Sequence, residues 1–204
     1  MAERTGSKEY RKRIEEHLAA ADGIITNAWC RENGVPTVYL GRLVVGGALK
    51  RIARGVYRAP GGDYDEFWLF QRRYARTVFS RDTAAFLLDA ADRVPTVLDV
   101  AVPASYKFRE KPENVRVRYV RDEIWDLGIR TAPTAFGNLV RVHSYERILC
   151  DLVADRRGVD REFYVRLAVE YPRYEGRDED ELLRIATVMG VERTIREDME
   201  LVFG

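Results

Sequence analysis

Apolar residues recur at helical spacing through the first sixty positions, and further on they shift to the alternating or continuous runs of strands. Between Ser7 and Ala21, Tyr10, Ile14, Leu18 and Ala21 share one face. The spacing predicts a first helix, with Ser7 as N-cap and Asp22-Gly23 as its stop. A second, short helix lies within Ile25 to Gly34; Thr26 caps it, Trp29 and Cys30 point inward, and Asn33-Gly34 supplies a left-handed end. Val35-Pro36 reads as a turn, with Pro36 suited to the first turn of a third helix. Leu40, Leu43, Val44 and Gly47 then repeat at i, i+3, i+4 and i+7, which turns that face onto the first two helices and leaves Thr37, Tyr39 and Arg42 facing outward. Leu49 and Ile52 point inward from a strand, Gly55 marks a hairpin tip, and Val56-Tyr57 returns as its partner strand. Three helices followed by a hairpin carrying Lys50, Arg51, Arg54 and Arg58 read as a winged helix-turn-helix.

Ala59-Pro60-Gly61-Gly62-Asp63 is the clearest linker, so the expected domains are 1–60 and 64–204. Beyond it the pattern predicts a helix from Asp65 (Phe67, Leu69, Phe70, Tyr74), a short strand Thr77-Val78-Phe79, and a helix capped by Ser80 and running to Ala90. Thr96 to Val102, Val115 to Arg121 and Leu139 to His143 read as strands, punctuated by Pro103, Pro112 and Gly137. Ser144 caps a helix whose stripe is Tyr145, Ile148, Leu149, Leu152 and Val153; helices at Asp160 to Tyr171, Asp178 to Met189 and Glu192 to Phe203 follow. The expected fold class is α+β: an N-terminal winged helix-turn-helix and a mixed α/β C-terminal domain, with strands near the middle and helices at both ends.

Charge sharpens this division. Residues 1–60 hold 11 Lys and Arg against 6 Asp and Glu, while residues 61–204 hold 23 against 27, so a net +1 chain divides into +5 and −4 parts. That asymmetry suits a nucleic-acid module joined to a module with another task. With 46% apolar residues in 204, there is enough to build packed cores, and no apolar run reaches the length of a membrane span. A cytoplasmic protein with no membrane partner is expected. Cys30 and Cys150 fall on apolar stripes and are expected to be buried free thiols.

The chemistry-bearing residues form no phosphate-binding loop, nucleophile-elbow or dinucleotide motif, and His17, His143 and the two cysteines lack metal-ligand spacing. No enzyme activity, metal or cofactor is expected. Glu146 and Arg147, with Asp151 four residues beyond the arginine, read as an internal latch, a partner-facing surface or an acid–base set. Ser80-Arg81-Asp82 reads as a helix N-terminus, with Asp82 favoured by the helix dipole, or as a nucleophile arrangement. Tyr171, Arg173 and Tyr174 form either an exposed aromatic-basic patch or a packed loop. For the first sixty residues the alternatives are a wing used only for packing and a DNA interface, in which Thr37, Tyr39 and Arg42 face base edges and Lys50, Arg51, Arg54 and Arg58 face phosphates. Cations on both the third helix and the hairpin favour double-stranded DNA.

These residues also carry a resemblance. Leu43, Gly47, Leu49, Arg51, Arg54, Gly55 and Tyr57 fit the spacing L-x-x-x-G-x-L-x-R-x-x-R-G-x-Y. Ser80, Thr83 and Ala84, then Val102-Pro103, then Glu146-Arg147-Ile148-Leu149-Cys150-Asp151-Leu152 follow in order. In both blocks the chain resembles the AbiEi-like antitoxins of bacterial abortive-infection, type IV toxin-antitoxin systems, over most of residues 8–172. Members of that family commonly carry Thr after the Glu-Arg pair, where this chain has Ile148; the last thirty residues match no motif. The resemblance implies an antitoxin that binds inverted repeats in its own promoter, as a monomer or a weak dimer cooperating on DNA, and represses its operon. It further implies that the C-terminal domain counteracts a nucleotidyltransferase-like toxin, with Ser80, Asp82, Glu146, Arg147 and Asp151 on its functional surface. Whether that domain opposes the toxin indirectly, binds and inhibits it, or covalently modifies it stays open.

Overall fold

The structure, a computed structural model, describes residues 2–21, 23–60, 65–108, 113–155 and 161–203, and the side chains of all of these except 2–7, 53 and 203. The chain is mixed α and β and divides into two compact units, residues 1–73 and 74–204. Asp22, the linker Gly61 to Asp63, Pro112 and the Asp160 helix start lie outside the described residues.

In the first unit, α1 (Ala2–Ala20), α2 (Asn27–Glu32) and α3 (Val38–Val45) are joined by a three-stranded antiparallel sheet, β1 (Ile24–Thr26), β2 (Lys50–Ala53) and β3 (Val56–Arg58), in the order β1-β3-β2. Helix α4 (Glu66–Arg73), whose Trp68 amide donates to the Asp65 carboxylate at 3.0 Å, belongs to the same unit. The core is Ile14, Ile25, Cys30, Val35, Leu40 and Leu49, flanked by Leu18, Trp29, Leu43, Val44 and Tyr57. Burying Leu40 completely contributes about 1.5–3 kcal/mol. The Thr26 hydroxyl accepts from the Trp29 amide at 3.1 Å, the cap that its position ahead of α2 predicts, and Gly34 ends the segment at φ +64.

Several local expectations are corrected. Ser7 lies inside α1 rather than capping it. Ile24-Ile25-Thr26 is a strand, a step the helical reading of this segment missed. Pro36 precedes α3, where its carbonyl accepts from the Tyr39 amide at 3.1 Å. Gly47 is no part of the packing face: α3 ends at Val45, and Gly47 is exposed at φ +73 in the turn that follows.

The second unit is built on a five-stranded sheet ordered β6-β5-β4-β8-β7, where β4 is Val78–Phe79, β5 Leu98–Pro103, β6 Val115–Val120, β7 Ile129–Pro133 and β8 Leu139–His143. The pairs β4·β8 and β5·β6 are parallel and the others antiparallel. Each of the parallel neighbours β4 and β8 runs into a helix, α5 (Arg81–Leu87) and α6 (Tyr145–Ala154). Helices α7 (Arg161–Glu170), α8 (Glu179–Met189) and α9 (Glu192–Phe203) follow, with α6 packed on α8 and α8 on α9. Ser144 and Asp178 cap α6 and α8 with hydrogen bonds from the Arg147 and Glu181 amides. Strand β7 was not expected, and the helix after Ser80 stops at Leu87 rather than Ala90.

Candidate nucleic-acid interface and the buried polar cluster

In the first unit the seven DNA-facing candidates do not share one environment. Thr37, Arg42, Lys50, Arg51 and Arg54 are exposed, Arg58 is half-buried, and Arg42, Lys50 and Arg54 form no ion pair among the described residues. Tyr39 departs from the expected outward face. It is half-buried against the core, its ring 5.3 Å from that of Tyr10, and the Arg42 guanidinium lies 5.1 Å over it. The reason is geometric: at about 3.6 residues per turn, Tyr39 flanks the helix rather than standing opposite Leu40.

The hairpin is held close. Its tip does not stand clear of the fold, because the Gly55 carbonyl accepts from the Asn27 amide at 2.8 Å. Gly55 takes φ +74, and a Cβ there would sit 3.2 Å from the Asn27 side-chain nitrogen. Glycine therefore serves both the turn and the close approach to the start of α2. Arg54 beside it remains exposed. From position 33 to 62 the chain carries five Lys and Arg and no Asp or Glu, so nothing in that stretch neutralises the cations locally.

The polar side chains of α3 share its outward face with exposed apolar ones, which residue type alone does not signal. Val38 and Val45 are 56% and 91% exposed, with Gly41 and Arg42 exposed between them.

The antitoxin-surface candidates behave differently. Glu146 and Arg147 are interior residues, at 0% and 1% exposure, so their assignment to a surface is corrected. Arg147 donates through Nε to Asp151 Oδ1 at 2.9 Å and through Nη1 to the Ile124 and Leu127 carbonyls at 3.0 and 2.8 Å. Gly128 makes room for it: a Cβ at this φ +67 position would lie 2.7 Å from the Arg147 Cβ. The other Asp151 oxygen meets His143 Nδ1 at 2.8 Å. Burial alone would raise the Asp151 carboxyl, but the His143 ring and the Arg147 guanidinium outweigh it and hold the group below its ordinary value. Glu146 Oε1 accepts from the Tyr171 hydroxyl at 3.2 Å and the Asp178 amide at 3.1 Å, which ties α6 to the start of α8. The ion pair that the latch reading expects, Arg147 with Asp151, is formed.

Ser80 is buried too, and its hydroxyl caps nothing. Arg81 enters α5 at φ +46, a conformation that costs a non-glycine residue energy and replaces the usual N-cap arrangement. Its guanidinium meets Asp155 at 2.6 Å, and the same Asp155 oxygen accepts from Arg118 at 3.0 Å. Arg116 in turn pairs with buried Asp99 at 3.0 Å, whose carboxyl burial pushes up in spite of that arginine. Asp82 alone among Ser80, Asp82, Glu146 and Arg147 is exposed. The register aligns Arg116 with Asp99 and Phe79 with Val142, and the Ser80 amide donates to the Asp99 carbonyl at 2.9 Å. Arg116, Asp99, Ser80 and His143 thus form one row across the sheet, which separate segments of sequence gave no means of seeing. Tyr171 is buried and Tyr174 half-buried, both against Tyr145 at centroid distances of 5.2 and 4.9 Å, so this segment is a packed loop with Arg173 exposed beside it.

Both cysteines are buried free thiols, and burial, then the neighbouring Asp151, pushes Cys150 up to about 12. Among the described residues no helix is long and apolar enough to cross a membrane. Comparison with protein-family models found no match, and comparison with curated proteins found no relative.

Proposed function

We propose that this chain is a two-domain, DNA-binding antitoxin of the AbiEi-like kind, acting in the cytoplasm as repressor of its own operon. In this reading the first unit is a winged helix-turn-helix: α3 enters the major groove and the β2–β3 hairpin is the wing, its cations on phosphates. The observation that carries the reading is the run from 33 to 62, five cations without a carboxylate, which displays Arg42, Lys50 and Arg54 unpaired among the described residues. Replacing Lys50 and Arg54 together with Ala should weaken binding to every DNA sequence alike and flatten the dependence of log affinity on log salt by up to about two. Promoter affinity and salt slope equal to the parent's would defeat the assignment.

The second unit would counteract a nucleotidyltransferase-like toxin. The −4 charge of residues 61–204 favours direct docking on a basic, RNA-handling enzyme. Light scattering on a mixture of the two purified proteins should then show one species of summed mass; two unshifted species would exclude a stable complex.

A further inference from the structure

We propose that the outward face of α3 is a base-reading surface made by Val38, Gly41, Arg42 and Val45, fitted to thymine methyl groups flanking a guanine in the major groove. This inference rests on the DNA-binding reading above and says what that site recognises. At about 3.6 residues per turn these four positions fall within an arc of roughly 100°, opposite the Leu40, Leu43 and Val44 side that packs on the core. Two features of the face have no explanation among the described residues. The first is that an eight-residue helix turns two β-branched apolar side chains to water, Val38 at 56% and Val45 at 91% exposure. The second is Gly41, which weakens a helix interior relative to alanine. Its φ is not positive, and a Cβ there would meet no atom within 4 Å. Neither backbone conformation nor internal packing calls for glycine, so the body that needs the space lies outside.

Charge identifies that body. The stretch 33–62 has no carboxylate and leaves Arg42, Lys50 and Arg54 exposed without an ion pair among the described residues, so the occupant is polyanionic yet presents apolar spots at the bottom of a groove wide enough for a helix. A DNA major groove has this composition, because thymine offers its C5 methyl group there and guanine offers O6 and N7 to an arginine. Arg42 lies 5.1 Å over the Tyr39 ring, and Tyr39 rests 5.3 Å from Tyr10, which steadies the guanidinium at the margin of the apolar spots. Helix α3 carries no Asn or Gln, the residues that read adenine in two-pronged fashion, so methyl contact and one guanine are what its face can read.

The test uses the full chain and the duplex it selects from a randomised pool. Replacing thymine by uracil at the selected positions should weaken binding by about three- to tenfold per methyl contact, and 7-deazaguanine should weaken it by tenfold or more, an effect that Arg42→Ala abolishes. Gly41→Ala should keep or raise the melting temperature while cutting affinity for the selected duplex at least tenfold, which separates loss of fit from loss of fold. The inference is overturned if uracil substitution and Gly41→Ala both leave affinity for the selected duplex unchanged while Lys50→Ala/Arg54→Ala still lowers it; DNA binding would then stand without this readout. It is overturned as well if light scattering finds a dimer that Val45→Ser converts to monomer, since the face would be a self-association surface. If no duplex is selected or bound, the DNA-binding reading itself has failed.

Discussion

Arginines of α3 and the hairpin and those of the second unit's interior live opposite lives. In the first, Arg42 and Arg54 stand exposed on a helix and a hairpin turn with no carboxylate between positions 33 and 62. In the second, Arg147 is sealed against Asp151 and two backbone carbonyls, while Arg81, Arg116 and Arg118 are threaded through Asp99 and Asp155. One residue type stands exposed to solvent in one place and is an internal brace in another. What separates the two settings is the supply of acids: where they alternate with arginines, as in α6, charge closes on itself, and in the stretch 33–62, which has none, Arg42 and Arg54 form no ion pair among the described residues.

The largest effect should come from breaking the brace. Arg147→Ala leaves Asp151 half-paired and removes a donor from each of the Ile124 and Leu127 carbonyls, so it should destabilise the protein by about 3–5 kcal/mol in urea unfolding. A change below about 1 kcal/mol would mean that Arg147 is ornament rather than brace. Asp151→Asn should cost less, about 1.5–3 kcal/mol near neutrality, since the amide keeps part of the geometry. Its pH signature has a definite sign. The folded chain holds this carboxyl below its ordinary value, so the stability it adds is present above the ordinary carboxylate range and is lost as acid carries the pH down through the folded-state value. The gap between parent and Asp151→Asn should therefore narrow on acidification, and a gap that widens would reverse the assignment. At the other end of the comparison, Arg54→Ala should move stability by no more than about 0.5 kcal/mol, because the exposed side chain holds nothing of the fold together. An unfolding midpoint that falls as far as that of Arg147→Ala would erase the distinction between the units.

What the sequence disclosed depended on the range of the interactions. Signals confined to one turn were legible: Thr26 ahead of α2, Ser144 ahead of α6, the Arg147–Asp151 spacing, and the apolar stripe that marks α9 as Glu192–Phe203. Strands β1 and β7 were not, because three residues of Ile-Ile-Thr are too short for a period and Ile-Arg-Thr-Ala-Pro has none; each exists through its partner, β3 or β8. Ser80 has the residue type and position of a cap, yet its hydroxyl caps nothing, and Arg81, at positive φ after it, bonds residues 70 and 74 positions away. The burial of Glu146 depends likewise on Tyr171 and Asp178. On α3 the difficulty is of another kind: hydroxyl, phenol and guanidinium groups draw the eye to chemistry, whereas two valines and a glycine are what the helix turns outward beside Arg42.

The enclosure of Cys30 and Cys150 has a practical corollary. With both native sulfurs shut away from reagents, a single cysteine introduced at Arg54 would be the sole one available to a maleimide dye, and fluorescence from that hairpin would test the proposed contact with a duplex without further engineering of the chain.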